Sequence, residues 1–179
     1  MFSCCVPNMV AGEMVLEQNI YVWDEPTQYW AISWDTGQIL HTFSGYLAVT
    51  VMPDELEFEG ERFNSGVYSL PLTTYGVGNG FGGGFNAAGN PFPSALNWNA
   101  SPGWTLLHAD PVLYTYDNEA SNFGTYIRND PRSSTLNTDS IIAAGQGFFV
   151  HVTPGFANGE LAVNNQARLH DHRNMAGQR

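Results

Sequence analysis

The sequence predicts an all-β protein, an antiparallel β-sandwich of jelly-roll type built from two similar β-units. Apolar and polar residues alternate with a period of two in many short windows. No window carries a sustained apolar stripe at the 3.6-residue spacing of a helix. The chain also contains 19 Gly and 10 Pro, which interrupt it at short intervals. Many short strands joined by turns give this combination.

The alternation is clearest in two windows of the first half. Leu47, Val49 and Val51 fall on one face, and Leu56 and Phe58 alternate with glutamates. Such strands are half buried, with one face in water. The candidate strands are rich in β-branched and aromatic residues and lie at 19–23, 29–34, 38–43, 45–51, 56–61, 67–73, 112–116, 125–128, 146–153 and 160–163.

An internal repeat relates the two halves of the chain. In each half, an aromatic strand ending in an acid is followed by a glycine-led aromatic strand and a short alternating strand. The predicted segments are an N-terminal segment without assigned order at 1–18, a first β-unit at 19–72, a Gly-rich junction at 73–88, a second β-unit at 89–168 and a polar tail at 169–179. One unit has too few strands to cover its own apolar face, so we expect the halves to form one sandwich.

Composition and charge exclude several classes of function. The 179 residues include 17 acids against six bases, all of them arginine, for a net charge of -11. Without lysine, Schiff-base chemistry and a Walker A loop are impossible. The acidic balance disfavours nucleic acid, and no apolar run approaches the ~20 residues that a membrane-spanning helix needs. Cys4 and Cys5 are adjacent, which suits neither a disulfide framework nor a metal site.

The most specific stretch of the chain is 89–98, Gly-Asn-Pro-Phe-Pro-Ser-Ala-Leu-Asn-Trp. Pro91 keeps Asn90 out of the α region, and Pro93 fixes a second φ angle. Ser94 is then expected to cap a short helical turn that docks Trp98 on the core. We predict a structural corner here, because nothing in the stretch is nucleophilic or metal-binding.

This stretch, together with 113–117, 142–150 and 165–168, resembles the duplicated "GNPYPSxLDW … GQGFFV" β-module of Bacteroidetes-type cell-surface and secreted proteins, many of them exported by type IX secretion. The resemblance implies an extracellular or cell-surface module of a larger protein, with its export signal outside this chain, and no transferable catalytic residues. The chain departs from the family in having Ala87-Ala88 where a larger apolar pair is usual. The motif positions given a structural role are Gly89, Asn90, Pro91, Pro93, Trp98, Gly145, Gly147 and Phe148.

An aromatic cluster in the first half is the candidate binding surface. Trp23 and Tyr29 lie close in sequence to Asp24, and aromatic rings beside carboxylates are typical of sugar-binding platforms. Alternation places Trp30, Ile32 and Trp34 together on a core side, which leaves Trp23 and Tyr29 as the candidates for exposure. The candidate binding residues are therefore Trp23, Asp24, Tyr29 and Asp117.

Three functions remain open from the sequence. The first is a non-catalytic module for display or adhesion that binds a glycan or a surface protein. The second is a glycoside hydrolase or lyase whose carboxylates, such as Asp24 and Asp117, face each other across a groove at roughly 5 to 9.5 Å. The third is a module stabilised by Ca²⁺ at the glutamate row 55, 57, 59 and 61, although a solvated strand face is the simpler interpretation of that row. No other cofactor is expected.

Overall fold

A computed structural model describes residues 2–4, 19–32, 40–49, 66–75 and 83–169. It is all-β, as predicted, and the described ranges contain no α-helix. The strands are β1 Phe2–Cys4, β2 Asn19–Asp24, β3 Tyr29–Ile32, β4 Tyr46–Val49, β5 Val67–Thr73, β6 Phe85–Gly89, β7 Leu96–Asn97, β8 Trp104–Leu107, β9 Val112–Asp117, β10 Asn122–Ile127, β11 Ile141–Ile142, β12 Gly147–His151 and β13 Asn158–Asn164, with 3₁₀ turns at Pro131–Ser133 and Asn165–Ala167. No helix within these ranges has the length and apolar character to span a bilayer.

Within the described ranges the strands form three sheets and a small two-stranded pair, all antiparallel. The central sheet has the order β10-β9-β12-β6, and the back sheet has the order β5-β13-β8. A third sheet, here called the outer sheet, has the order β1-β4-β2-β3, and β11 pairs with β7. The central and back sheets form the β-sandwich that the alternating pattern predicted.

The main hydrophobic core lies between the central and back sheets. Trp104 on β8 lies with its ring centroid 6.3 Å from that of Phe148 on β12, and Trp98 contacts both rings. Burial of side chains of this size supplies most of the stability of such a sandwich. The fully or nearly fully buried members include Phe43, Leu72, Phe92, Leu96, Trp98, Leu113, Ile142, Phe148, Val150, Leu161 and Val163.

The central sheet has two chemically different faces because strand residues alternate. Leu113, Phe148 and Val150 point into the core and are buried. The opposite face carries Phe149 in register with Tyr114 of β9, and Tyr116 in register with Phe123 of β10. This second face is aromatic, and only part of it is covered by the outer sheet.

The predicted strands agree with the structure in most places, but the prediction fails within 38–43, and β1, β6, β7, β8 and β11 lie where no strand was predicted. Residues 67–73 form β5 as predicted, whereas 40–43 of the predicted strand 38–43 form a turn with Phe43 at φ +79°. Phe85–Gly89, of which 85–88 were assigned to the junction, is a strand paired along its length with β12. Its Asn-Ala-Ala-Gly sequence has low β-propensity, so pairing within the sheet decides its conformation.

The two predicted β-units are interleaved in space. β5 belongs to the first unit, yet it pairs over its whole length with β13 of the second unit. The halves therefore share the back sheet, and the predicted duplication remains a prediction. The candidate strand at 56–61 lies outside the described residues.

The backbone at Gly45 passes very close to Ala87 and Ala88 of β6. Gly45 donates its N–H to Ala87 O at 3.0 Å, and Ser44 bridges to Ala88. A Cβ atom at Gly45 would lie 2.8 Å from Ala88 O and 2.9 Å from Ala87 Cβ. The space is therefore too small for a side chain at position 45. The close approach occurs where β6 carries the two short side chains of Ala87 and Ala88.

Residues 89–94 form a buried corner at one end of the sandwich, here called the Asn90 corner. Asn90 is 1% exposed, and its Nδ2 donates to Ser94 O at 2.8 Å and to Ala143 O at 2.9 Å. Its Oδ1 accepts from Phe92 N, and its own N–H donates to Gln146 O. Asn90 thus ties the 89–98 motif to the turn that precedes β12.

The predicted helical cap at Ser94 is wrong. Residues 92–94 form a bend, and the Ser94 hydroxyl accepts a hydrogen bond from Arg168 Nε at 2.8 Å. The Arg168 guanidinium also lies over the Phe92 ring, 5.2 Å from its centroid. Trp98 is nevertheless fully buried in the core, as expected.

Candidate functional site

The candidate site is an aromatic cleft between the outer sheet and the exposed face of the central sheet. Trp23 on β2 and Trp30 on β3 are direct cross-strand partners, so both rings lie on the same face of the outer sheet. Their centroids lie 4.9 and 5.8 Å from that of Phe149 on β12. Phe149 also contacts Phe123, with centroids 5.5 Å apart. These four rings are the wall that joins the two sheets.

Two polar anchors fix the outer sheet over the central sheet. Trp23 Nε1 donates to Phe85 O at 2.6 Å. The Glu25 carboxylate, 5% exposed, accepts from Gly84 N at 2.6 Å and from Tyr75 N at 2.8 Å. A buried carboxylate held by backbone N–H groups is a strong, directional contact. Glu25 therefore positions the β2–β3 hairpin and with it both tryptophans.

The aromatic cleft has two adjoining compartments. The first has a volume of about 240 Å³ and is lined by Trp30, Leu47, Tyr116, Asn118, Phe123, Gly147, Phe148 and Phe149. The second has a volume of about 420 Å³ and is lined by Trp23, Gln28, Trp30, Phe85, Tyr114, Phe123, Thr125 and Phe149. Trp30, Phe123 and Phe149 line both, so the compartments are parts of one cleft.

The aromatic rings remain accessible at the outer end of the cleft. Phe123 is 42% exposed and Tyr116 is 38% exposed, and their rings meet edge to face at 5.1 Å. Burial, together with the nearby charge of Asp110, raises the pKa of Tyr114. Tyr114 lines the second compartment and carries one of its polar groups, the phenolic hydroxyl.

The structure separates the four sequence-predicted binding residues. Trp23 is half buried and lies in the cleft, whereas Tyr29 is 75% exposed and lies on the opposite face of the outer sheet. The Asp24 carboxylate accepts from Thr27 Oγ1 within its own hairpin turn. The Asp117 carboxylate accepts from Glu119 N and Ala120 N in the turn after β9. The expectation that Trp30 belongs to a core side distinct from Trp23 is wrong, because the two rings form a pair.

His151, on β12, has an acidic partner. His151 Nδ1 lies 2.9 Å from Asp110 Oδ2, and Nε2 lies 3.1 Å from Gly83 O. Asp110 Oδ1 also accepts from Thr153 Oγ1 at 2.8 Å. Both ring nitrogens face protein acceptors, so neither is available as a base toward a neighbouring hydroxyl. The geometry is that of a structural contact between the segment before β9 and the end of β12.

The described residues contain no group of three or more His, Cys, Asp or Glu side chains that could hold a metal ion. The glutamate row proposed for Ca²⁺, residues 55, 57, 59 and 61, lies outside the described residues. Calcium binding at this row therefore stays a prediction.

Sequence reasoning missed most of the cleft. Tyr114 and Tyr116 alternate on β9, and Phe123 follows after a short turn, so one face of a β9–β10 hairpin could have been recognised as aromatic. Phe149 was missed because its neighbour Phe148 was the motif residue of interest. The two adjacent phenylalanines point to opposite faces of β12, one into the core and one into the cleft.

Comparisons with known proteins add no relative to this description. No family model matches the chain, and it matches none of the curated proteins and none of the solved structures. The resemblance carried by the 89–98 and 142–150 motifs therefore remains an expectation. The geometry of the aromatic cleft is the observation that bears on function.

Proposed function

We propose that this chain is a non-catalytic binding module and that its aromatic cleft holds a carbohydrate. One observation carries the proposal: the rings of Trp23, Trp30, Phe123 and Phe149 form a contiguous wall along a cleft, and its outer member Phe123 is 42% exposed. Isolated exposed aromatic residues are common on protein surfaces, but a contiguous set beside a concave surface is typical of ligand sites.

The chemistry of the cleft suits a sugar. A pyranose ring has an apolar C–H face that packs on an aromatic ring, and hydroxyl groups at its edge that need hydrogen-bonding partners. The cleft offers the aromatic faces together with the side-chain amides of Asn118 and Gln28 and the hydroxyl of Tyr114. A few polar groups among apolar walls fix the orientation of a ligand.

Three observations support the non-catalytic part of the proposal. Asp24 and Asp117 each accept hydrogen bonds within their own turns, and His151 is engaged at both ring nitrogens. Asp24 and Asp117 are the candidates that the sequence offered for carboxylate chemistry. The family resemblance favours the same function and adds that the module acts in display or adhesion on a secreted or cell-surface protein.

Glycan binding can be tested with a pair of matched variants on one strand. Phe123 and Ile127 lie on β10, on the same face, and each is 42% exposed, but only Phe123 lines the cleft. The protein should first be screened on an array of plant, microbial and animal glycans, and the hits measured by calorimetry. We expect Phe123→Ala to weaken the best hit by about tenfold or more and Ile127→Ala to leave its affinity unchanged.

Two results would contradict the proposal. The first is the absence of glycan binding at millimolar concentration for a protein shown to be folded by its near-ultraviolet circular dichroism. The second is a concentration-dependent dimer, seen by light scattering, that Phe123→Ala dissociates and Ile127→Ala does not. That second result would assign the aromatic wall to self-association.

A further inference from the structure

We infer that the aromatic cleft takes a linear, uncharged oligosaccharide and that it holds one sugar unit in each of its two compartments. This inference rests on the proposed function and adds to it the length and the charge of the ligand. It follows from how the two compartments are joined, from the polar groups in each, and from the absence of Asp, Glu, His and Arg among the described residues that line them.

The junction between the compartments is a shared ridge. Trp30, Phe123 and Phe149 line both cavities, so a ligand that leaves one compartment along these rings enters the other. Sites for small molecules usually have volumes of roughly 300–1,000 Å³. The first compartment, at about 240 Å³, lies below this range, and the second, at about 420 Å³, lies near its lower end. The second compartment alone therefore reaches the size of an ordinary site, and the first extends it along the shared ridge.

Each compartment has its own walls and its own polar group. Tyr116 and Leu47 line only the first compartment, which also contains the Asn118 amide. The second is closed by Phe85 and Tyr114 and carries Gln28, whose Nε2 donates to Glu25 O at 2.7 Å. That bond orients the Gln28 amide and leaves its Oε1 as an acceptor. Two sets of aromatic and amide groups separated by a shared ridge match a ligand made of repeated units.

The lining of the cleft favours an uncharged ligand. Among the described residues, no Asp, Glu, His or Arg lines either compartment. The chain as a whole carries a net charge of -11 and has no lysine. An acidic glycan entering the cleft would therefore lose hydration without gaining a cationic partner, and it would approach a surface of its own sign.

The inference can be tested with sugars of increasing length and with variants confined to the first compartment. The probes are cello-, xylo-, manno- and chito-oligosaccharides of one to six units, with oligogalacturonates as acidic counterparts. Tyr116→Ala and Asn118→Ala alter the first compartment, and Ile127→Ala is the control outside the cleft. Both variant sites are exposed, so the sandwich core is left intact.

For the neutral series that binds, we expect affinity to rise at least about tenfold from one unit to two or three and then to level off. Tyr116→Ala and Asn118→Ala should remove most of this gain while leaving the weak binding of the single unit, measured by saturation-transfer NMR, within about twofold. Oligogalacturonates should bind at least about tenfold more weakly than neutral sugars of the same length.

Each contrary result would overturn a different part of the inference. If single units bind as tightly as longer chains, or if the first-compartment variants leave the length dependence unchanged, the two-compartment inference is overturned while the proposed function stands. If acidic oligosaccharides bind best, the charge part is overturned. If neither series binds, the proposed function itself fails together with this inference.

Discussion

The Asn90 corner and the aromatic cleft differ in how much sequence signal they carry and in how accessible they are. The corner contains the most specific motif of the chain, yet its central side chain is 1% exposed and its hydrogen-bonding groups bind backbone atoms of the protein. The cleft contains no recognisable motif, yet its rings Phe123 and Tyr116 are 42% and 38% exposed. The specific motif stabilises the fold, and the less distinctive aromatic pattern supplies the candidate site.

This difference has a physical basis. A buried corner must satisfy each polar group with a defined partner, and only a few residues at fixed spacing can do so. An aromatic wall needs rings of roughly the right size on one face of a sheet, and many sequences provide them. Motif specificity is therefore a guide to structural constraint in this molecule, and exposure is the better guide to function.

The largest expected effect is a loss of stability when the Asn90 corner is altered, with binding at the cleft unchanged. Asn90→Ala removes bonds to Ser94 O and Ala143 O and leaves Phe92 N without its acceptor in a buried site. We expect the free energy of unfolding to fall by about 3 kcal/mol and the Tm by roughly 10 °C. Urea denaturation and calorimetry measure both. Below its melting temperature, the variant should keep the glycan affinity of the parent protein.

The control for this variant is Asn165→Ala, which changes an exposed asparagine in the turn after β13. It should alter the free energy of unfolding by less than about 0.5 kcal/mol. Equal stability of Asn90→Ala and Asn165→Ala would mean that the corner is not a structural element, and the contrast between the two regions would disappear.

A smaller effect is expected at the contact that connects the cleft to the sandwich. Glu25→Gln keeps the size of the side chain but replaces one accepting oxygen by an NH₂ group, which then faces the N–H of Gly84 or Tyr75. We expect a loss of about 1–3 kcal/mol in the free energy of unfolding. Glycan affinity should also fall, because the β2–β3 hairpin positions Trp23 and Trp30.

The matched control is Glu119→Gln, at an exposed position of the turn after β9. It removes the same charge without changing a buried contact. If both variants weaken binding equally, the effect is one of net charge, and Glu25 has no positioning role.

The smallest expected effect is the contribution of Tyr114 to the pH dependence of the free energy of unfolding. Burial, and secondarily the charge of Asp110, raises the pKa of Tyr114 in the folded protein above its usual value near 10. The folded state therefore binds the phenolic proton more tightly than the unfolded state does. This contribution to stability is complete below pH 10 and is lost as the pH rises through the raised folded pKa. Tyr114→Phe should flatten the alkaline loss of stability.

Urea denaturation at a series of pH values from 8 to above 10 measures this change, with Tyr29→Phe as the control at a 75% exposed tyrosine. Part of the alkaline loss should persist in Tyr114→Phe, because burial also raises the pKa of Tyr46 and Tyr68. An unchanged alkaline profile in Tyr114→Phe would show that this phenol gains no stability from its place in the cleft.

Much of the fold could be predicted from the sequence, because alternation and turn residues act locally. β5 was predicted to the residue, and β9 and β12 nearly so. β6 could not be predicted, because Phe85–Gly89 owes its strand conformation to pairing with β12, a contact distant in sequence. The sharing of the back sheet by β5 and β13 is likewise a long-range choice that no local pattern specifies.

The candidate site was predicted only in part, for a similar reason. Trp23 was among the predicted binding residues and lies in the cleft, but Phe123 and Phe149, which complete the aromatic wall, lie on strands far along the chain. Asp24 and Asp117 were chosen because they occupy equivalent positions of the repeat. In the structure, each carboxylate accepts hydrogen bonds from the N–H or O–H groups of its own turn.

The most direct test of the proposed site follows the indole N–H signals of the tryptophans by NMR during titration with the best-binding neutral oligosaccharide. Trp23 and Trp30 lie in the aromatic cleft, whereas Trp98 and Trp104 are buried in the core and serve as internal controls. Assignment by single Trp→Phe variants identifies each signal. The proposal predicts that the Trp23 and Trp30 signals shift saturably while those of Trp98 and Trp104 stay in place. Saturable binding that leaves Trp23 and Trp30 unshifted would contradict it.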